Sequence, residues 1–247
     1  MTNYTRGAVT LLVLAAALLS ACATNTPVRF DAAARADIRT IGIAAVGMPD
    51  EADVRVLAHA DPRLGLVGYL VEEGRESAAR EELAATLARE QFDFRQAIPA
   101  YVGSALTTAG FQTVELAGPR PDSERGRFMK SLPAGGAADA VLDVVVLTLG
   151  FFATEANAPY QAGVHVAARL VHARTRQVLF QNEFVYGDAL IAQGELAGLE
   201  AIPVTSPDAA FFRGRAGLRA DGAATRDALR RALASTIAEI GLQLQAP

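Results

Sequence analysis

The sequence has no tryptophan, one cysteine, one lysine and three histidines among its 247 residues. Each scarcity excludes something. Aromatic residues make up 6% of the chain, which argues against a carbohydrate-binding groove built on aromatic platforms. The single thiol, Cys22, has no second cysteine to form a disulfide with in an oxidising compartment. Lys130 stands alone among arginines, a bias that with the abundant alanine reflects nucleotide composition more than function. A formal net charge of −4 is small, so neither nucleic acid nor an acidic surface is implied as a partner. Gly-x-Ser-x-Gly, P-loop and dinucleotide glycine patterns are all missing. Ser104 lies in Val102-Gly103-Ser104-Ala105-Leu106 on an apolar helix and reads as a packed hydroxyl. No internal repeat occurs.

What is present begins with an apolar run. Arg6 precedes it, and residues 8–21 carry no charge. A short positive region followed by an apolar one is the pattern of a secretory signal peptide. The run is shorter than the roughly 20 apolar residues that span a bilayer. Its last residues, Leu19-Ser20-Ala21-Cys22, resemble the lipobox of bacterial lipoproteins. That resemblance implies a Cys22 thiol acylated by diacylglycerol, cleavage before it, and acylation of the new amine. Two or more acyl chains, at about 0.8 kcal/mol per buried methylene, make attachment stable. It would also exclude thiol catalysis by Cys22. Ala23 follows where the enterobacterial pattern places an aspartate for inner-membrane retention, so the expected site is the outer membrane, facing the periplasm.

Beyond the signal, the 51% hydrophobic content is ample for one domain's core. The expected organisation is a signal peptide over 1–21, a lipidated tether over 22–36, and a single domain over 37–247 with an insertion at 48–95. Residues 38–47, apolar and partly β-branched, predict a buried strand. Residues 48–65, with Pro49, Pro62 and several acids, read as loop. Helices are expected over 76–91, where Ala79, Leu83 and Leu87 form a stripe, and over 99–109. Pro99 suits a first helical turn, and Gly110 suits the position just past the end. "FQTVEL" predicts a strand, and 118–136 is mostly loop with a helical turn near Arg127.

Residues 138–152, "ADAVLDVVVLTLGFF", predict a strand broken at Gly150. Residues 160–187 predict a hairpin turning at Arg174-Thr175-Arg176. Val164, Val166, Ala168 and Leu170 then share a face with Val178, Phe180, Phe184 and Tyr186. The other face carries Gln161, His165, Arg169, Gln181 and Glu183, with Arg169 opposite Gln181, and is expected to meet solvent. A final helix carries Leu229, Leu233, Ile237, Ile240 and Leu244 on one stripe, capped by Asp221 or Thr225. The fold class is α+β: a mixed sheet of about five strands, helices packed mainly on one face, and a C-terminal helix.

"ADAVLDVVV" followed by "VHVAARLVHARTRQVLF" resembles a group of bacterial envelope lipoprotein domains. These are the curli-secretion lipoproteins, the lipoprotein activators of penicillin-binding proteins and the N-terminal domain of the Tol propeller protein. Arg176 stands where their turn glycine is common. No spare pair of long alternating strands offers itself for a secretion barrel. The resemblance implies a non-catalytic lipoprotein acting through protein–protein contact in envelope assembly or maintenance, bound to the membrane through its lipid and to an envelope protein. The alternatives are a periplasmic hydrolase without a recognisable motif and an accessory lipoprotein of a secretion system.

For sites, no catalytic residue, cofactor or metal is expected. His165 and His172, seven apart on one strand, point to opposite faces and cannot share a metal. His59 with Asp61 reads as part of a solvated acidic loop. Asp143, inside an apolar strand, is either functional or at a sheet edge facing solvent, and the edge is the expectation. The connection between the first strand and the Pro99 helix runs to about fifty residues, where two to six usually suffice. Its apolar run makes Leu66, Tyr69 and Leu70 the expected partner-binding residues.

Overall fold

The computed structural model describes residues 26–57, 65–192, 200–205 and 209–245, with backbone alone over 65–73. The element order is α1 (Ala32–Asp37), β1 (Thr40–Ile43), β2 (Asp53–Val56), α2 (Gly65–Arg89), α3 (Phe94–Thr108), β3 (Gln112–Glu115), a 3-10 turn (Asp122–Glu124), β4 (Ala140–Ala153), β5 (Tyr160–His172), β6 (Val178–Tyr186), α4 (Asp188–Ala192), β7 (Ile202–Val204), β8 (Phe211–Phe212), α5 (Gly214–Ala220) and α6 (Gly222–Gln245). The class is the expected mixed sheet with helices packed on it, but the sheet has eight strands, not about five. Its path is β3-β1-β4-β5-β6-β7, with β2 joining β4 and β8 joining β5.

Three short strands explain the difference. β2 lies in the stretch expected as loop. It pairs parallel with β4 from Gly150 to Ala153, whereas β1 pairs with Ala140 to Leu142. Gly150 therefore does not break β4. It lets β2 pass, because a Cβ there would stand 2.0 Å from the Asp53 carbonyl oxygen. β7 and β8 are too short for a hydrophobic period to show.

The β1–helix–β3 crossover makes a parallel pair, with Thr40 beside Gln112. β4, β5 and β6 form an antiparallel meander, with Val166 opposite both Val146 and Phe184. One face of this meander carries Leu142, Val144, Val164, Leu170, Phe180 and Phe184. It meets Leu83 and Leu87 of α2, Ile98, Val102 and Leu106 of α3, and the five-residue stripe of α6 in one continuous core. Asp221 caps α6 by accepting the Ala224 N–H at 3.0 Å, while the buried Thr225 hydroxyl donates to the Leu218 carbonyl at 2.8 Å.

α3 starts earlier than expected, at Phe94, capped by Asp93 accepting the Arg95 N–H at 2.8 Å. Pro99 thus sits inside the helix, one turn in. Gly110, at φ 85°, ends it as expected, with Gly110 N–H donating to Thr107 and Phe111 N–H to Leu106. α2 reaches back to Gly65, so the apolar run containing Leu66, Tyr69 and Leu70 forms its first turns.

Of the span expected as a tether, residues from Thr26 onward are described, and they are already docked. Val28 exchanges two backbone hydrogen bonds with Gln181 of β6, at 2.7 and 2.9 Å. Phe30 is buried, and its ring lies 6.5 Å from that of Phe111. Asp31 caps α1, whose Arg35 donates to the Ala109 carbonyl at 3.0 Å and covers the Phe111 ring.

Candidate functional site

The second face of the sheet is where the sequence reading fails. It was expected to meet solvent. Instead Gln161, His165 and Glu183 are buried, and Arg169 and Gln181 are partly covered. A loop over 116–135 covers one end, with Met129 and Leu132 packed on Val141. α4 covers the other, with Leu190 packed on Phe152 and Val185.

Asp143 lies under the first cover. It sits on β4, opposite Arg169 of β5, in the middle of the sheet and not at an edge. Its carboxylate is fully buried. Oδ1 accepts from Arg120, whose side chain is 4% exposed. Oδ2 accepts the Met129 N–H at 2.8 Å and Arg169 Nη2 at 3.1 Å. Arg120 also donates to the carbonyls of Ala45, Glu124 and Arg127, at 2.8–3.0 Å, so one guanidinium fastens the loop to the seam between β1 and β4. Gly47 makes that seam possible: a Cβ would come within 2.4 Å of the Arg125 carbonyl oxygen. The desolvation that would make a lone buried carboxylate costly is offset by two guanidiniums and a backbone donor. A carboxylate so enclosed reaches no external substrate unless the loop lifts.

Beside this pair the same loop forms an open cleft of about 340 Å³. Its lining includes Lys130, Arg169 and Arg176, together with Met129, Val171 and Val178. Val178 was expected on the helix-covered face. A bulge at Leu179 turns it to this one, since Phe180 pairs with Leu170 but Val178 pairs with Val171. Arg169 also donates to the Met129 carbonyl at 2.7 Å and lies 4.6 Å over the Phe128 ring. Its Nε is buried and makes no hydrogen bond among the described residues.

His165 faces Glu183 diagonally across β5 and β6, Nε2 to Oε2 at 2.7 Å, both buried. His172 faces the other way, its Nδ1 accepting the turn amides of Arg174 and Thr175. The two do not converge, as the strand parity requires. A second cleft, about 370 Å³, opens where β4 bulges at Leu147, between β1 and β2. There Asp53 is paired with Arg55 at 3.3 Å. Asp50, exposed at the rim, is bonded to Arg95 and Arg125. The Arg95 hydrogen bond, then the Arg125 charge, hold its carboxyl below the usual range.

Cys22, His59 and Asp61 lie outside the described residues, and so do the side chains of Leu66, Tyr69 and Leu70. The sequence reading missed Arg120 and Lys130. The available signal was an acid inside an apolar strand, which needs a cation, together with a loop carrying four of them, Arg120, Arg125, Arg127 and Lys130.

No family model and no curated protein matches the chain. Among solved structures it is similar to the PelC dodecamer from Paraburkholderia phytofirmans, at 13% identity over 90% of this chain and 96% of that one, TM-score 0.39. Protein XCC0632 from Xanthomonas campestris matches at 12% identity over 87% and 91%, TM-score 0.38. Lipoprotein GNA1162 from Neisseria meningitidis matches at 17% identity over 60% and 81%, TM-score 0.25. Likeness at these scores carries no argument about function.

Proposed function

We propose that the chain is a non-catalytic envelope lipoprotein, held on the periplasmic face of the outer membrane through Cys22 and working by contact with another envelope protein. The observation that carries this reading is the lipobox Leu19-Ser20-Ala21-Cys22 followed almost at once by a docked chain. Thr26 accepts a hydrogen bond from Gln181, and Val28 is paired with β6. Cys22 to Thr26 is four residues, which span at most about 14 Å fully extended. A domain on so short a link stands against its membrane. Among the described residues no helix is long and apolar enough to cross one. The buried ionisable groups support a non-catalytic role because they are engaged with one another: Asp143 with two arginines, His165 with Glu183.

The proposed contact surface is the start of α2, at Leu66, Tyr69 and Leu70. The test has two arms. A palmitate analogue fed to cells labels the wild type and spares Cys22→Ser; equal labelling of both removes the anchor. A photo-crosslinker at Tyr69 captures an envelope protein that the same group at the exposed Ala100 of α3 does not. Identical captures at both positions would reduce the start of α2 to structure alone.

A further inference from the structure

We infer that the cleft beside Arg169 binds the phosphate of anionic phospholipid headgroups in the membrane that holds Cys22. The inference rests on the lipid-anchor reading and adds to it an orientation and a ligand.

Three cations, Lys130, Arg169 and Arg176, line the cleft, and no acid does. The carboxylates bonded to the residues of the cleft are committed elsewhere. Asp143 is buried behind two guanidiniums, and Glu124, itself buried, accepts the Lys130 backbone N–H. Counting Arg120, four cations stand against these two carboxylates. The ammonium of Lys130 and the guanidinium of Arg176 make no ion pair among the described residues, and both residues are exposed. Arg169 is different in kind. It is fixed by Asp143, by the Met129 carbonyl and by the Phe128 ring, yet its Nε donor is buried without a hydrogen-bond partner among the described residues. A fixed guanidinium flanked by two exposed cations in a partly apolar cleft suits a phosphate group with a glycerol behind it.

The location selects the source. Gln181 lies opposite Arg169 on the neighbouring strand, and its side-chain amide donates to the Thr26 carbonyl at 3.3 Å. Adjacent strands are about 4.8 Å apart. The chain therefore leaves the domain one strand from the cleft, and Cys22 follows within four residues. The acyl chains hold this edge, and not the helix-covered face, at the membrane. Basic residues so placed add attraction to anionic lipid that a neutral surface does not supply.

The experiment uses the acylated full protein in nanodiscs of phosphatidylcholine, with or without phosphatidylglycerol carrying a photoactivatable headgroup. Peptide mapping is expected to place the crosslink at residues 129–132 and 169–178. Lys130→Glu with Arg176→Glu lowers that yield about tenfold or more and leaves the melting temperature and disc retention unchanged. Excess inorganic phosphate does not compete. Loss of the crosslink to inorganic phosphate would overturn the lipid source in favour of a free anion. A protein retained on discs without a crosslink in the cleft, or with one that the double variant keeps, would overturn the site. Failure of the anchor reads separately, as protein that leaves the discs. The same probe lipid in vesicles then decides the cleft by itself.

Discussion

Asp143 reverses its expected character once its neighbours are known. Removing it as Asp143→Ala leaves the Arg120 guanidinium, 4% exposed, without a counter-charge. The expected loss is about 3–5 kcal/mol in urea unfolding. Arg169, expected to behave as one member of an exposed pair worth under about 1 kcal/mol, holds both Asp143 and the Met129 carbonyl. Charged hydrogen bonds of this kind place Arg169→Ala at about 1.5–3 kcal/mol by the same measurement. Asp139 acts differently. The Thr40 and Arg39 N–H groups, at 2.9 Å each, donate to its carboxylate and hold its pKa below 3.8. A carboxyl depressed in the folded state contributes stability above its unfolded value, and that contribution is lost as pH falls through the folded one. Thermal melts between pH 6 and pH values below the ordinary carboxylate range are expected to show this acid loss in the wild type. Asp139→Ala is expected to start less stable at pH 6 and to fall less steeply.

At the scale of elements, helix ends divide what was legible from what was not. Gly110 announced the end of α3 because glycine adopts positive φ without strain. The end of α2 has the same geometry without the glycine. Gln91 sits at φ 53°, its N–H donating to Ala88 and that of Phe92 to Leu87. A glutamine in this conformation carries a Cβ penalty of about 1 kcal/mol. Gln91→Gly is therefore expected to raise the denaturation midpoint, by about 0.5–1 kcal/mol in stability. An unchanged or lowered midpoint would show that the Gln91 side chain contributes contacts outweighing its strain. The Ala138-Asp139 pair just before β4 also gains a reason: the Asp139 carboxylate accepts the Arg39 and Thr40 amides where β1 begins beside it.

At the scale of the molecule, the N-terminal segment belongs to the domain. Phe30 is 5% exposed and joins the same core as α3 and α6. Phe30→Ala is expected to cost about 3–5 kcal/mol in chemical denaturation, where a free tether would give none. If Cys22 is acylated as proposed, the four residues from it to Thr26 restrict which face meets the membrane, since a long flexible link would leave every face equally free.

Periodicity was enough for the long elements. Most of the helix-facing set of the β5–β6 hairpin and the α6 stripe follow from repeats of two or 3.6 residues, because one buried face imposes one period. Val178 and the three-residue turn do not: His172 N–H donates to Gln177 across four residues, and the bulge at Leu179 restores the expected register. Arg176 at φ 62° occupies the turn position expected to need an unusual backbone. The second face was illegible for a physical reason. Its polar residues alternate as a solvated face would, and nothing local says that a proline- and arginine-rich loop folds over them. Burial of Asp143 depends on Arg120, twenty-three residues away in sequence, and the cleft depends on a bulge at Leu179 that only pairing with β5 reveals. Sequence alone determined five of the eight strands, most of their helix-packed side and the resemblance of Leu19-Ser20-Ala21-Cys22 to a lipobox, since each is written in contiguous residues. Which charges are buried, where the cations gather and which strand Thr26 and Val28 dock on were decided by tertiary contacts, because those pairings join segments that no local period connects.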